Sequence, residues 1–144
     1  MRPVSDPLTF EQLVRQADVI VVVERAEPFK VRIQKENDGC MSERWPVTVR
    51  RVLRAPAGGT RKGAVLNVIV NPTALRRCGY IKKNLSVSYA APVYSGANPA
   101  FAGSPPRRFV VFLRATARGP ALTAHGAVES EARIPEIIKL IQPR

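Results

Sequence analysis

The chain has 144 residues, of which 45% are hydrophobic, and its 23 lysines and arginines outnumber its 11 aspartates and glutamates, giving a net charge of +12. These totals favour one folded domain over residues 1–144 and argue against a disordered chain. The longest aliphatic run, at 19–23, is too short for a transmembrane helix, which needs about 20 residues. We therefore expect no membrane span.

A short helix and a valine-rich strand are predicted first. Apolar residues in 9–17 recur at spacings of three and four, which indicates an amphipathic helix. Thr9 and Gln12 have the spacing of a capping box at its start. The β-branched run at 19–23 predicts a buried strand, and the alternating pattern at 29–33 allows that strand to continue or resume.

A bent hairpin is predicted next. The polar stretch 34–42 is typical of an exposed loop, and a strand is expected to begin near Trp45. Its alternation slips at Arg50–Arg51, which is what a β-bulge produces. The turn-forming residues of 55–63 then return the chain into a strand over 64–70.

The second half is expected to hold two helices, three strands and a long loop. Asn71 followed by Pro72 predicts a helix start, and Gly79 predicts its end. Residues 90–106, with four prolines and two glycines, predict a flexible loop. The remaining expected elements are strands at 85–89, 109–113 and 121–128 and a helix at 135–141.

In this order, the elements predict a mainly β fold. It is a five-stranded OB-like Greek-key barrel with a short N-terminal helix, a helix between strands 3 and 4, and a C-terminal helix. The segments ADVIV at 17–21, VTVRRVLR at 47–54 and RFVVFL at 108–113 resemble the OB-fold domains of bacterial proteins similar to tissue inhibitors of metalloproteinases. These segments are strand patterns, so the resemblance concerns the fold.

The resemblance also implies a location. Such bacterial domains are commonly exported, which favours an extracytoplasmic (periplasmic or secreted) protein whose signal has been removed; a cytoplasmic protein is the alternative. The animal inhibitors chelate the protease metal through an N-terminal Cys-x-Cys. This sequence has no such element near its start, so protease inhibition is not implied.

The two cysteines, Cys40 and Cys78, fit two interpretations. In an exported protein they can form a disulfide, whereas in a cytoplasmic protein they are ordinary small residues. Neither has the spacing of a zinc or haem ligand, and His125 is the only histidine. We therefore expect no metal site and no cofactor.

The distribution of charge is the main functional signal. No aspartate or glutamate occurs between Arg44 and Val128, so this stretch is expected to attract anions. Without paired acids, a positioned His125 or a nucleophile motif, we predict a protein that is not an enzyme. The predicted partner-binding residues are Arg50, Arg51, Arg54, Arg76, Arg77, Lys82, Lys83, Arg107 and Arg108.

Two functions fit this pattern. The first is a binding module that engages an anionic partner or an acidic protein surface. The alternative is a single-stranded nucleic-acid-binding protein, in which aromatic side chains stack on bases beside the basic residues. The candidate stacking residues are Trp45, Tyr80, Tyr89 and Tyr94. The sequence indicates neither the ligand nor the oligomeric state.

Overall fold

The computed structural model describes residues 7–83, 94 and 105–142. Its strands are β1 (Val19–Arg25), β2 (Arg32–Lys35), β3 (Met41–Arg54), β4 (Val65–Ile69), β5 (Arg108–Thr116), β6 (Gly119–Leu122) and β7 (Val128–Glu129). Its helices are α1 (Phe10–Gln16), α2 (Pro72–Lys82) and α3 (Ile134–Ile141), and a 3-10 turn at Glu131–Arg133 leads into α3. The predicted mainly β fold is confirmed.

Five of the strands close into a barrel in the order β1-β3-β4-β6-β5, and β5 pairs back onto β1. The pairings are antiparallel except that of β4 with β6, which is parallel and places Ile69 opposite Ala121. Strand β2 pairs with β3, and β7 pairs with β5. Helix α2 lies between the third and fourth barrel strands, which confirms the predicted OB-like topology.

The valine-rich segments form the core. The residues at 20–23 in β1 and at 109–112 in β5 are all fully buried. Since successive side chains of a strand point to opposite faces, both faces of these strands are covered. Leu13 and Val14 of α1 and Ile137 of α3 belong to the same core.

Two local predictions are confirmed. Thr9 and Gln12 form the capping box of α1, each side chain bonding the other residue's backbone N–H. In the pairing of β3 with β1, Arg50 and Leu53 have no partner residue in β1. The irregularity at Arg50 confirms a bulge where the sequence pattern slips. The bulge at Arg50 adds bend to a strand of 14 residues that pairs with three others.

Several predicted boundaries are wrong. The predicted loop at 34–42 is shorter, 36–40, because β2 runs to Lys35 and β3 already begins at Met41. Helix α2 does not end at Gly79 but continues to Lys82. The predicted start of α2 is confirmed, with Asn71 at the N-cap position and Pro72 as the first helical residue. The Asn71 side chain does not cap the helix, since it accepts the Glu43 N–H at 2.8 Å and so joins the start of the helix to β3.

The expected strand at 121–128 is also wrong as a single element. It divides into β6 and β7, with Gly126 at a positive φ between them. The predicted strand at 85–89 and most of the predicted loop at 90–106 lie outside the described residues. None of the helices in the described ranges is long and apolar enough to cross a membrane.

Candidate functional site

A groove of about 390 Å³ lies between α2 and the β5–β6 hairpin. Its aliphatic floor comes from the barrel strands β4 and β6, the residues that follow β6, and α2. The floor residues are Ile69, Leu75, Ala121, Leu122 and Ala124. Ile69 and Ala121 are the two residues that face each other where β4 and β6 close the barrel. The groove therefore lies over the closing seam of the barrel.

The walls of the groove carry an excess of positive charge. Arg76 and Lys83 come from the α2 side and Arg114 from β5, and none of the three forms an ion pair with any described residue. Arg76 and Lys83 are seven residues apart and so lie on the same face of the helix. The lining also contains Arg118 and Asp38, which pair with each other at 2.6 Å. Three cations of the groove are thus available to an anion.

The wall formed by α2 is attached to the β2–β3 loop by a disulfide. Cys40, at the end of that loop, is bonded to Cys78 of α2, with their Cα atoms 6.0 Å apart. Of the two interpretations of the cysteines, the structure has the disulfide. Leu75 is the one buried residue of α2, and Cys78 is half-buried. The helix thus depends on a covalent bond more than on apolar packing.

Asp38 links the same loop to the β5–β6 hairpin. Its carboxylate accepts the Cys40 N–H at 3.0 Å and pairs with the Arg118 guanidinium. The hydrogen bond from Arg118 is the largest cause that lowers the pKa of Asp38 from 3.8 to about 2. Asp38 is therefore ionised at neutral pH and already engaged.

A buried charge network lies behind this pair. Arg44 donates to Glu36 at 3.2 Å and to the Arg118 carbonyl at 3.0 Å. Ser42 donates to Glu36 at 2.8 Å, and this hydrogen bond is the largest cause that lowers the Glu36 pKa. Since both Glu36 and Arg44 are buried, each needs these partners to offset its loss of hydration. The network holds β2, β3 and the β5–β6 turn together.

The structure divides the predicted partner-binding residues into two groups. Four of them, Arg76, Arg77, Lys82 and Lys83, lie together along α2 and at its end, where all are exposed. Arg76 and Lys83 line the groove, whereas Arg77 and Lys82 do not.

The other predicted basic residues lie on the barrel, where most have structural partners. Arg50 and Arg107 both pair with Glu24, and the hydrogen bond from Arg50 is the largest cause that lowers the Glu24 pKa. Arg108 pairs with Glu131 at 3.6 Å. Arg54 donates to the Ala17 and Val14 carbonyls at the end of α1. Arg51 is exposed and forms no ion pair within the described ranges.

The predicted stacking residues are also separated. Tyr80 lines the groove. Trp45 is half-buried and packs edge-on against Phe29 and Phe109. Tyr94 is buried and donates to Glu129, and its N–H bonds the His125 carbonyl. A base cannot stack on Tyr94 as it is placed here, so that prediction is corrected. Tyr89 lies outside the described residues.

Sequence reasoning missed Arg114, Arg118 and Asp38 as members of the site. Arg114 and Arg118 belong to the acid-free stretch, which is a weak signal. Asp38 lies in the stretch 34–42, which the sequence predicts to be an exposed loop. What places them beside α2 is the barrel closure and the disulfide, neither of which a local pattern encodes.

Other chemistry finds little support in the described ranges. No group of three or more His, Cys, Asp or Glu residues comes together there in a way that could hold a metal ion. His125 is exposed and does not line the groove. In comparisons with known proteins, no family model, curated protein or solved structure matches the chain.

Proposed function

We propose that this protein is a non-enzymatic binding module that engages an anionic partner through the groove between α2 and the β5–β6 hairpin. The observation that carries the proposal is the set of three cations, Arg76, Lys83 and Arg114, that line one groove without a carboxylate partner among the described residues. Unpaired cations around a recess focus a positive potential, which attracts anions and raises their rate of association.

The barrel arginines support this choice by contrast. Arg50, Arg107 and Arg108 are exposed, but each lies beside a carboxylate that offsets its field. Arg54 is used to bond the end of α1. An incoming anion would have to compete with these internal partners, whereas at the groove it would not.

The carboxylate in the groove supports a role in binding rather than catalysis. A general acid or base works best with a pKa near the operating pH. Asp38, with a pKa of about 2 and two hydrogen-bonded partners, is far from that condition. His125 does not contribute to the groove lining.

Binding of single-stranded nucleic acid is the second candidate, and the observation that favours it is Tyr80. This aromatic side chain lies in the groove lining with Arg76 and Lys83, and an aromatic face beside cations is a common element of single-strand binding sites. Trp45 and Tyr94 do not extend this arrangement, because both pack within the fold.

The test compares two triple variants with equal loss of charge. Arg76→Ala/Lys83→Ala/Arg114→Ala removes the groove cations, and Arg51→Ala/Arg61→Ala/Lys62→Ala removes three exposed cations from the turn between β3 and β4 and from the strand leading into it. Binding of fluorescent poly-glutamate and of oligo-dT is measured by anisotropy at about 50 and about 200 mM salt.

We expect the groove variant to lose about 30-fold in affinity for the preferred polyanion, from roughly 0.7 kcal/mol per exposed cation. The control variant should lose less than about threefold. Equal losses in the two variants would mean that net charge alone attracts the anion, and the proposal would then fail. Preference for oligo-dT with a steep salt dependence would favour the second candidate.

We also propose an extracytoplasmic location, with the cytoplasm as the alternative. The Cys40–Cys78 disulfide supports this, since disulfides persist in oxidising compartments and are rare in the cytosol. Thiol titration of protein isolated from its native cell tests it. Two reactive thiols in the denatured protein would contradict an oxidised, exported form. The resemblance to inhibitor-like OB domains stays a prediction about the fold.

A further inference from the structure

We infer that the groove takes an acidic peptide segment. One aliphatic side chain of the peptide lies on the floor, and neighbouring carboxylates bind the cations of the rim, which are Arg76, Lys83 and Arg114. This inference rests on the proposed function and specifies the partner of the same site. The proposed function depends on the cations alone, whereas this inference also depends on the aliphatic floor. The two can therefore be tested separately.

The floor selects an aliphatic group. Ile69, Leu75 and Leu122 supply branched side chains from β4, α2 and β6, and two alanines complete the surface. The floor residues are each at most 6% exposed. A leucine-like side chain is favoured because it removes its own apolar surface from water on this floor, together with that of the half-buried Pro72 and the exposed Ala115 in the lining. A nucleic-acid site of the common kind presents several aromatic faces instead, and Tyr80 is the one aromatic side chain that the described residues contribute to this lining.

The rim selects carboxylates on both sides of that group. Arg76 and Lys83 lie along one wall, and Arg114 lies on the wall formed by β5. Guanidinium groups bind carboxylates through two parallel hydrogen bonds, so Arg76 and Arg114 are suited to acidic side chains that approach from opposite walls. Arg118 already pairs with Asp38. It therefore forms part of the wall, and its charge is not available to the peptide.

The size of the groove agrees with this assignment. A volume of about 390 Å³ lies near the lower end of the range for ligand pockets. It accommodates a single large side chain with adjoining backbone. A central apolar anchor surrounded by polar contacts is also the usual organisation of a protein-binding hot spot.

The experiment follows backbone amide NMR shifts of the oxidised full-length chain during titration with three probes. The first is a capped pentapeptide of leucine flanked on each side by two glutamates. The second has alanine in place of leucine, and the third is a short oligo-dT. We expect the leucine peptide to shift the amides of Ile69, Leu75 and Leu122, and to bind about tenfold more tightly than the alanine peptide.

A pair of neutral variants isolates the role of the floor. Ala115 is exposed and lines the groove, so Ala115→Phe should obstruct it without a change of charge. Ala74 is exposed on α2 outside the lining, so Ala74→Phe is the matched control. We expect Ala115→Phe to remove the preference for leucine over alanine and Ala74→Phe to preserve it. Circular dichroism confirms that both variants fold.

The outcomes separate the inference from the proposed function. If both peptides bind equally and only α2 rim amides shift, the anion site stands and the aliphatic pocket is wrong. If oligo-dT shifts the floor amides more strongly than the leucine peptide does, the peptide assignment is wrong. If none of the probes shifts any groove amide, the proposed function and this inference both fail.

Discussion

Helices α1 and α2 adjoin the same barrel, but different forces attach them. Helix α1 buries Leu13 and Val14 completely in the main core. A capping box satisfies its first turn, and Arg54 bonds the carbonyls at its end. Both ends and the inner face of α1 are therefore fixed by non-covalent contacts, which suit a permanent part of the fold.

Helix α2 is attached more sparsely. Leu75 and the disulfide at Cys78 join it to a small second cluster that also contains Ile69 and Ala121. Its basic side chains are directed to solvent or to the groove rather than to carboxylates of the barrel. The comparison indicates that α1 serves stability and that α2 presents charge, because binding elements are commonly drawn from the less stable parts of a protein.

The largest expected effect tests the covalent attachment of α2. The double variant Cys40→Ala/Cys78→Ala opens a loop with a sequence separation of 38 residues. It should lower the free energy of unfolding by about 4 kcal/mol in the loop-entropy account. Hydrogen exchange should accelerate first at 72–82, since Leu75 is the one buried residue of that helix. Uniform acceleration in α1 and α2 would contradict the difference between the two helices.

A slightly smaller effect is expected in α1. Leu13→Ala removes a fully buried side chain from the main core, so the free energy of unfolding should fall by about 3 kcal/mol. Urea denaturation measures this loss. The control is Gln16→Ala, at an exposed position of α1, which should change the free energy of unfolding by less than about 0.5 kcal/mol. The affinity of the remaining folded protein for anions should be unchanged. A loss of affinity would show that α1 contributes to binding.

The smallest effect concerns the link between the β2–β3 loop and the β5–β6 hairpin. The pKa of Asp38 is lowered to about 2 in the folded protein, so its pair with Arg118 stabilises the fold above the unfolded value of 3.8. That contribution should decline as the pH falls from about 4 towards about 2.

The pH dependence is checked by urea denaturation of the Asp38→Asn variant across the same range. Its stability should vary less with pH than that of the parent protein. Some pH dependence should remain, because the pKa of Glu36 is also lowered in the folded protein. Glu43→Gln, which removes an exposed carboxylate without an ion pair among the described residues, is the control. A variant with the full acid dependence of the parent would exclude this role for Asp38.

The fold was largely predictable because local patterns encode it. The buried run at 19–23, the phase slip at Arg50 and the capping box of Thr9 each follow from spacing alone, and all three agree with the structure. The predicted helix end at Gly79 was wrong, whereas α2 begins at Pro72 as predicted. The Asn71 side chain nevertheless does not cap the helix, because long-range contacts override the usual local signals. Asn71 bonds the backbone of β3, and the disulfide at Cys78 lies next to Gly79.

The candidate site was predictable only in part. The absence of acids from 44–128 predicts Arg76, Lys83, Arg50 and Arg107 alike as partner-binding residues, but only the first two are without an ion pair among the described residues. Arg50 and Arg107 both pair with Glu24, which is 26 and 83 residues away along the chain. A sequence pattern records which charges are present, whereas only the folded chain determines which of them are neutralised.

The position of the groove on the β4–β6 seam links occupancy to the integrity of the barrel. A molecule that contacts Ile69 and Ala121 together bridges the two strands whose parallel pairing completes the ring. Such a molecule binds the closed ring better than an opened one, and mass action then shifts the equilibrium towards closure. Ligand binding should therefore stabilise the pairing of β4 with β6. It should slow amide exchange in these two strands and raise the melting temperature of the whole domain.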